Sequence, residues 1–326
     1  MLITRTPLRI SLGGGGTDLP SHYRENGALV ISAAINKYVY IGINQTFVDD
    51  YFIKYSALER CDKIDSIEHP IVREALRLTG IEPGVEIVSM ADIPAGTGLG
   101  SSGTFTVGLL RALYAFKREH ITANALAEEA CRIEIDLLGQ PVGKQDQYIA
   151  AFGGLTCFEF HPDDRVSVSP LGISTPTLHD LEEHLLLFFT GYSRSASEML
   201  SDQKRRTESK DRAMTDSLAF TSEVGHRIKD ALEAGATRDF AELMHEHWEY
   251  KRSRSAGMSN ESIDHWYEIG RKNGAVGGKL VGAGAGGFLL FYAHDPSQLR
   301  RSMQEEGLRE VRFFFDHDGA SVVVRD

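Results

Sequence analysis

The residues able to do chemistry gather at three glycine-dense stretches. Pro94-Ala95-Gly96-Thr97-Gly98-Leu99-Gly100-Ser101-Ser102-Gly103 follows the apolar run at residues 85–90 and feeds into Phe105, Leu109, Leu110 and Leu113, which have helical spacing. The order is strand, loop, helix start. The first amides of a helix lack an intrahelical partner and lie at the positive end of its dipole, so glycines that admit an anion make a phosphate site there. Ser101 and Ser102 stand at that helix start. The competing reading is a tight turn whose glycines serve only left-handed torsions. Gly98, Gly100 and Gly103 also fit a dinucleotide fingerprint, with Glu119 near the position of a ribose-binding acid. A second helix follows where that fingerprint needs a parallel strand, and the missing Gly-Lys-Ser/Thr excludes a Walker loop.

Phosphoryl transfer needs one carboxylate to orient or deprotonate an acceptor hydroxyl and another for a metal. Asp146, just after Pro141-Val142-Gly143, and Glu134, on the preceding helix, supply both types. A lone Asp in such a place is more often a cap or a surface charge. His247, Lys251 and Arg254 follow i, i+4, i+7 spacing and share a helical face that could grip a dianion or simply face water. Lys279-Leu280-Val281-Gly282-Ala283-Gly284-Ala285-Gly286-Gly287 leads into a strand, as a glycine-rich hairpin or loop. His245 and His247 lack the spacing of a helical zinc pair.

The elements that must hold these residues alternate along the chain. Strands are expected at residues 28–43, 85–90, 152–160, 185–189, 277–292, 308–315 and 320–324. Helices are expected after Ser101, through Leu126, Ala130, Ile133 and Leu137, and from an Asn260 or Ser259 cap to Ile269. Charged helix formers dominate residues 195–273, and a further helix is expected at 297–306. With 326 residues, 42% hydrophobic and 25% charged, the chain is globular, as one large or two modest domains. Its 35 basic against 46 acidic residues give a net charge of −11, which argues against nucleic acid as a partner. Cys61, Cys131 and Cys157 are too scattered for a zinc or redox motif and read as buried thiols. There is no signal-like start and no apolar run of membrane-spanning length, so a cytoplasmic protein without membrane partners is expected.

In this order the three stretches resemble the GHMP small-molecule kinase superfamily, over nearly the whole chain. The first motif is matched by Pro7-Leu8-Arg9-Ile10-Ser11-Leu12-Gly13-Gly14-Gly15-Gly16-Thr17-Asp18. The resemblance implies an α+β GHMP kinase fold of two domains. Residues 1–178 would be ribosomal-protein-S5-domain-2-like and residues 179–326 ferredoxin-like. It implies ATP phosphates over Pro94, Gly96, Gly98, Leu99, Gly100, Ser101, Ser102 and Gly103, and Mg²⁺ on Ser102 and Glu134. It further implies Asp146 as base or orienting group beside Arg9, which favours the ionised carboxylate. Gly14, Gly15, Thr17 and Asp18, with Gly284 and Gly286 of the third motif, would shape the acceptor site.

Galactokinases carry Glu-His before the Thr-Asp pair, where this chain has Gly15-Gly16, so galactose is a poor match. The segments at residues 143–148, 190–195 and 246–253 are similar to the D-glycero-D-manno-heptose 7-phosphate kinase branch. That likeness implies phosphorylation of the anomeric O1 to a 1,7-bisphosphate, on the way to nucleotide-activated heptose. The sugar phosphate would be held by Arg194, Lys251, Arg252 and Arg254, charge-assisted donors suited to a phosphate. A GHMP kinase for fucose or a hexose, and a non-catalytic nucleotide-binding regulator, stand as alternatives. Oligomeric state cannot be read from the sequence.

Overall fold

The computed structural model describes residues 1–191, 196–254, 258–282, 284 and 286–325. The chain begins with β1 (Leu2–Gly13), α1 (Pro20–Asn26) and the long strand β2 (Ala28–Gln45). β3 (Tyr51–Lys54), β4 (Leu58–Cys61), α2 (Pro70–Thr79) and β5 (Val85–Ala91) lead to the helices α3 (Ser101–Phe116), α4 (Ala123–Cys131) and α5 (Gln145–Phe152). β6 (Leu155–Phe160), β7 (Val166–Pro170) and α6 (Thr175–His184) follow. The 18 residues of β2 pair with β1 on one edge and take two partners on the other, β6 at residues 28–33 and β5 at residues 39–45. All pairs of this sheet are antiparallel except β3 with β5. Against it, α3 packs on β1 and β2, and so fixes the helix start that follows the second glycine stretch.

A second sheet is built from β8 (Leu185–Gly191), the helices α7 (Ala196–Glu208), α8 (Arg212–Glu233), α9 (Thr237–Arg254) and α10 (Glu261–Lys272), then β9 (Ala275–Val281), β10 (Gly287–Ala293), α11 (Pro296–Glu305) and β11 (Arg309–Glu310). Its order, β11-β8-β10-β9, is antiparallel throughout and is that of a ferredoxin-like unit. β8 reads Leu-Leu-Leu-Phe-Phe because both of its faces are covered. Leu185 and Leu187 join the main core with Phe288 and Leu290. Leu186 and Phe188 point the other way, with Leu289 and Phe291, onto a smaller core containing Trp248, Ile263, Tyr267 and Leu299. Each such side chain contributes about 1.5–3 kcal/mol when fully buried.

The boundary expected between residues 178 and 179 falls within α6. The second sheet starts at Leu185, and the last strand, β12 (Ser321–Arg325), returns to the first sheet to pair with β1. The strand expected at residues 308–315 shrinks to β11, since the segment beyond it crosses between sheets. Asn36 and Phe314 exchange bonds there, Asn36 N donating to Phe314 O at 2.9 Å and Phe314 N to Asn36 Oδ1 at 2.8 Å. Phe152, expected to open a strand, ends α5, and Gly153 at φ +72° turns the chain into β6. The helix expected through Leu137 stops at Cys131 and continues as a π-helical turn, Arg132–Leu137. Among the described residues no helix is long and apolar enough to cross a membrane.

Candidate active site

The loop between β5 and α3 holds Gly96, Gly98 and Gly100 at φ +78°, +83° and +79°, a region costly for any residue with a Cβ. Its glycines also permit contact with the third glycine stretch. A Cβ on Gly98 would lie 2.6 Å from Val281 O, and one on Gly287 would lie 2.5 Å from Thr97 O. Gly100 caps α3 without any side-chain acceptor, which leaves the amides of the first turn for another partner. Ser101 Oγ is buried there and unpartnered. These unfilled donors fit a phosphate chain. Pro94 and Gly96 are exposed on the loop. The side chain of Leu99, expected at the nucleotide, is instead wholly in the core, so this residue offers only backbone; its carbonyl accepts Arg9 N at 3.1 Å.

Asp146 lies in the first turn of α5, beside that loop. Arg9, on β1, grips it with both ends of its fork: Nε donates to Oδ1 at 2.7 Å and Nη2 to Oδ2 at 2.9 Å. The third arm, Nη1, donates to Gly98 O at 2.7 Å. One guanidinium therefore fixes the carboxylate relative to the phosphate loop, an arrangement for which a lysine lacks the geometry. The side chain of Arg9 is only 8% exposed whereas that of Asp146 is 30% exposed, so the carboxylate remains within reach of a ligand.

α3 and α5 meet at Gly103, where a Cβ would lie 2.8 Å from Asp146 Cβ and 3.1 Å from Gln147 N. Gly103 has no left-handed torsion, so alanine suits its own backbone and would push the start of α5, with Asp146, away from α3. We expect Gly103→Ala to keep its fold by circular dichroism yet lose roughly 100-fold in kcat, the scale of a misplacement of about 1 Å. Unchanged kcat would show that Asp146 needs no such close positioning.

Glu134 reaches the same place from the π-helical turn after α4. The extra residue in a π turn shifts the side chains that follow it around the helix, a device common at functional sites. Glu134 is fully buried, accepts a hydrogen bond from Ser102 Oγ, and takes another from Gln147 Nε2 at 2.7 Å. Burial pushes its carboxyl pKa up, against the lowering effect of those two bonds. A buried carboxylate beside a hydroxyl at the phosphate loop fits Mg²⁺, which takes one or two carboxylates and fills its other positions from phosphates and water. Among the described residues there is no group of three or more His, Cys, Asp and Glu side chains able to hold a metal by themselves.

Beside Asp146 opens a cleft of about 140 Å³ between the first sheet and helices α7 to α9. The cleft is lined by Gly15, Gly16 and Asp18, by the apolar Met199, Leu218 and Met258, and by the basic residues His247, Lys251 and Lys279. Asp18 is buried, its oxygens accepting Gly16 N at 3.0 Å and Gln145 N at 2.9 Å. Gly143 exists for this contact, since a Cβ there would lie 1.9 Å from Asp18 Oδ2. Burial raises the Asp18 pKa and Asp146 adds to the rise.

Other expected acceptor residues lie elsewhere. Gly14 does not line the cleft: at φ +74° it faces Leu29 O and lets Gly225 of α8 approach, where a Cβ would lie 3.2 Å from Gly14 Cα. Thr17 is wholly buried and closes the turn by donating to Gly14 O at 2.7 Å. Arg252 points away from the cleft toward α10. It binds Glu249 at 2.9 Å and Asp264 and Glu268 at 3.4 Å, because it sits about 100° around the helix from Lys251. Gly284 stands behind Met199 and Met258, and Gly286 is also outside the lining. Arg194 lies outside the described residues, as does the side chain of Arg254.

Two residues with no role assigned from the sequence also enter the site. Gln147 holds Glu134, and Lys279 is buried in the cleft wall. A lysine within the apolar strand Leu280-Val281 continues was a readable signal; nothing in the sequence marked Gln147.

Comparison with known proteins places the whole chain in one family. Residues 68–154 match the family described as GHMP kinases N terminal domain, and residues 228–308 the one described as GHMP kinases C terminal. The D-glycero-alpha-D-manno-heptose 7-phosphate kinase of Campylobacter jejuni is 29% identical, with 97% of each chain covered. The bifunctional fucokinase/GDP-fucose pyrophosphorylase of Arabidopsis thaliana is 26% identical over 94% of this chain and 32% of its own. The crystal structure of a D-glycero-D-manno-heptose 1-phosphate kinase from Bacteriodes thetaiotaomicron superposes with a TM-score of 0.82 at 25% identity, covering all of both chains. With both family regions matched, and the glycine loop, Glu134 and Asp146 all inside the first of them, the chain belongs to the GHMP kinases.

Proposed function

We propose that this protein is an ATP-dependent kinase that phosphorylates the anomeric O1 of D-glycero-D-manno-heptose 7-phosphate. The observation that carries the reading is one juxtaposition. The Arg9-clamped carboxylate of Asp146 lies between a phosphate-type loop and a cleft lined in part by basic residues. Relatives bearing heptose phosphate kinase names, aligned over nearly the full chain, support the acceptor.

In the reaction the 1-hydroxyl oxygen bonds to the γ-phosphorus while the bond from that phosphorus to the β,γ-bridging oxygen breaks. ADP leaves, and Asp146 orients the hydroxyl and takes its proton. The amides of Ser101, Ser102 and Gly103 meet phosphate charge at the start of α3. Arg9 keeps Asp146 aimed and ties it to the loop through Gly98 O. Asp18 and the backbone of Gly15 face the cleft where the sugar hydroxyls would lie, and Gly16 N, by donating to Asp18 Oδ1, holds that carboxyl in place. A Mg²⁺ held by Ser102 and Glu134 would neutralise charge on the β- and γ-phosphates.

A coupled ADP-release assay over a sugar panel tests this. Heptose 7-phosphate should exceed unphosphorylated heptose, fucose and hexoses by on the order of 10²-fold in kcat/KM, as a site built around a charged group discriminates. A preference for fucose or a hexose would replace the acceptor, and no turnover with any sugar would favour a nucleotide-binding regulator.

A further inference from the structure

Lys279 projects from β9 and is 5% exposed. Its one hydrogen bond among the described residues runs from Nζ to Leu12 O at 3.1 Å. An ammonium has three donors, so two are unmade. No carboxylate lies within ion-pair distance of it among the described residues, whereas Arg9, which lines the same cleft, has Asp146. Burying an ammonium without a counter-charge is costly, and such groups persist where they are paired or serve a ligand.

Its surroundings point the same way. Lys279 lines the cleft together with His247, Lys251 and Arg9. Burial, then Lys251, then Arg9 push its pKa down to about 7. Each of these influences opposes a positive charge, and an anion in the cleft would relieve all three. A tether between β9 and β1 would explain the bond to Leu12 but would not require a charged group, since a neutral donor serves as well.

We propose that Lys279, with Lys251 and His247 beside it, binds the phosphate that the acceptor sugar already carries and so sets the preference for a phosphorylated sugar. This rests on the sugar phosphate kinase reading above. It adds a buried strand residue, Lys279, to the helix-face pair His247 and Lys251 that lines the same cleft. Arg252, engaged by three acids, is left out of it.

The test is the ratio of kcat/KM for heptose 7-phosphate to that for unphosphorylated heptose, in wild type, Lys279→Met, Lys279→Gln and Lys279→Arg. Gln keeps a donor for Leu12 O without the charge, so it reads out the proposal even if Met fails to fold. In Lys279→Gln and in any folded Lys279→Met, kcat/KM for the phosphorylated sugar should fall on the order of 100-fold, mainly through KM. The unphosphorylated sugar should change little, and Lys279→Arg should retain the preference. An equal fall for both sugars, or a ratio in Lys279→Gln equal to wild type, overturns the proposal. If the wild type itself turns over no phosphorylated sugar, it is the kinase reading that fails, whatever the variants do.

Discussion

Asp146→Ala should abolish useful turnover, lowering kcat by on the order of 10² to 10⁴, while ATP still binds. The effect is large because one carboxylate both aims the acceptor hydroxyl and receives its proton. ATP binding should survive because the donors at the start of α3 do not depend on that side chain. Asp146→Ala also strips Arg9 of its bidentate partner and leaves a nearly buried guanidinium with only Gly98 O, which costs about 1–3 kcal/mol in stability. Asp146→Asn separates the two consequences. It keeps one acceptor for Arg9, sets its NH2 against the other guanidinium donor and cannot take the proton, so it should lose less stability than the alanine variant and remain as inactive. Isothermal titration with a non-hydrolysable nucleotide and steady-state kinetics check both halves. Near-normal kcat in either variant would remove Asp146 from the chemistry.

The phosphate loop was legible because its signal is local. Strand, glycines and helix start follow one another within residues 85–116, and β5 and α3 fall there. The ion pair between Arg9 and Asp146 joins positions 137 residues apart, so no spacing rule exposes it; the likeness to known kinases did. β12 was readable as a strand, but its partner β1 lies at the other end of the chain, beyond the reach of any local pattern. Helical spacing placed His247 and Lys251 on one face, and both line the cleft. It could not say that Arg252 would meet the acids of α10. Glycines read as room for a phosphate turn out to serve also the contact of backbone with backbone, at Gly98 with Gly282 and at Gly14 with Gly225. Propensity cannot separate those uses, because a missing Cβ answers both. The π turn at Glu134 was illegible for a related reason: the apolar spacing of Ile133 and Leu137 suits an ordinary helix equally well.

Glu134→Gln should leave the nucleotide-free protein as stable as wild type or more so, yet lower Mg²⁺-supported kcat/KM by at least about 10² and raise the Mg²⁺ concentration needed. The two effects have opposite signs because a buried carboxylate is costly until a cation joins it. The raised pKa of Glu134 means that the folded state holds its proton to higher pH than the unfolded state does. Folding stability from this group is therefore fully present below its ordinary value of 4.5 and is lost as pH rises through the raised one. Glutamine removes that loss. Its amide can also be satisfied, since Gln147 Oε1 is buried without a partner and a flip of the Gln147 amide would let it accept from the new residue while Ser102 Oγ donates to the remaining oxygen. Thermal melts from pH 4 to 8 should show wild type losing ground to Glu134→Gln as pH rises, and Mg²⁺ with nucleotide should restore wild type far more than the variant. If Glu134→Gln responds to Mg²⁺ as wild type does, the ion is held elsewhere and Glu134 is only a buried link between α3 and α5.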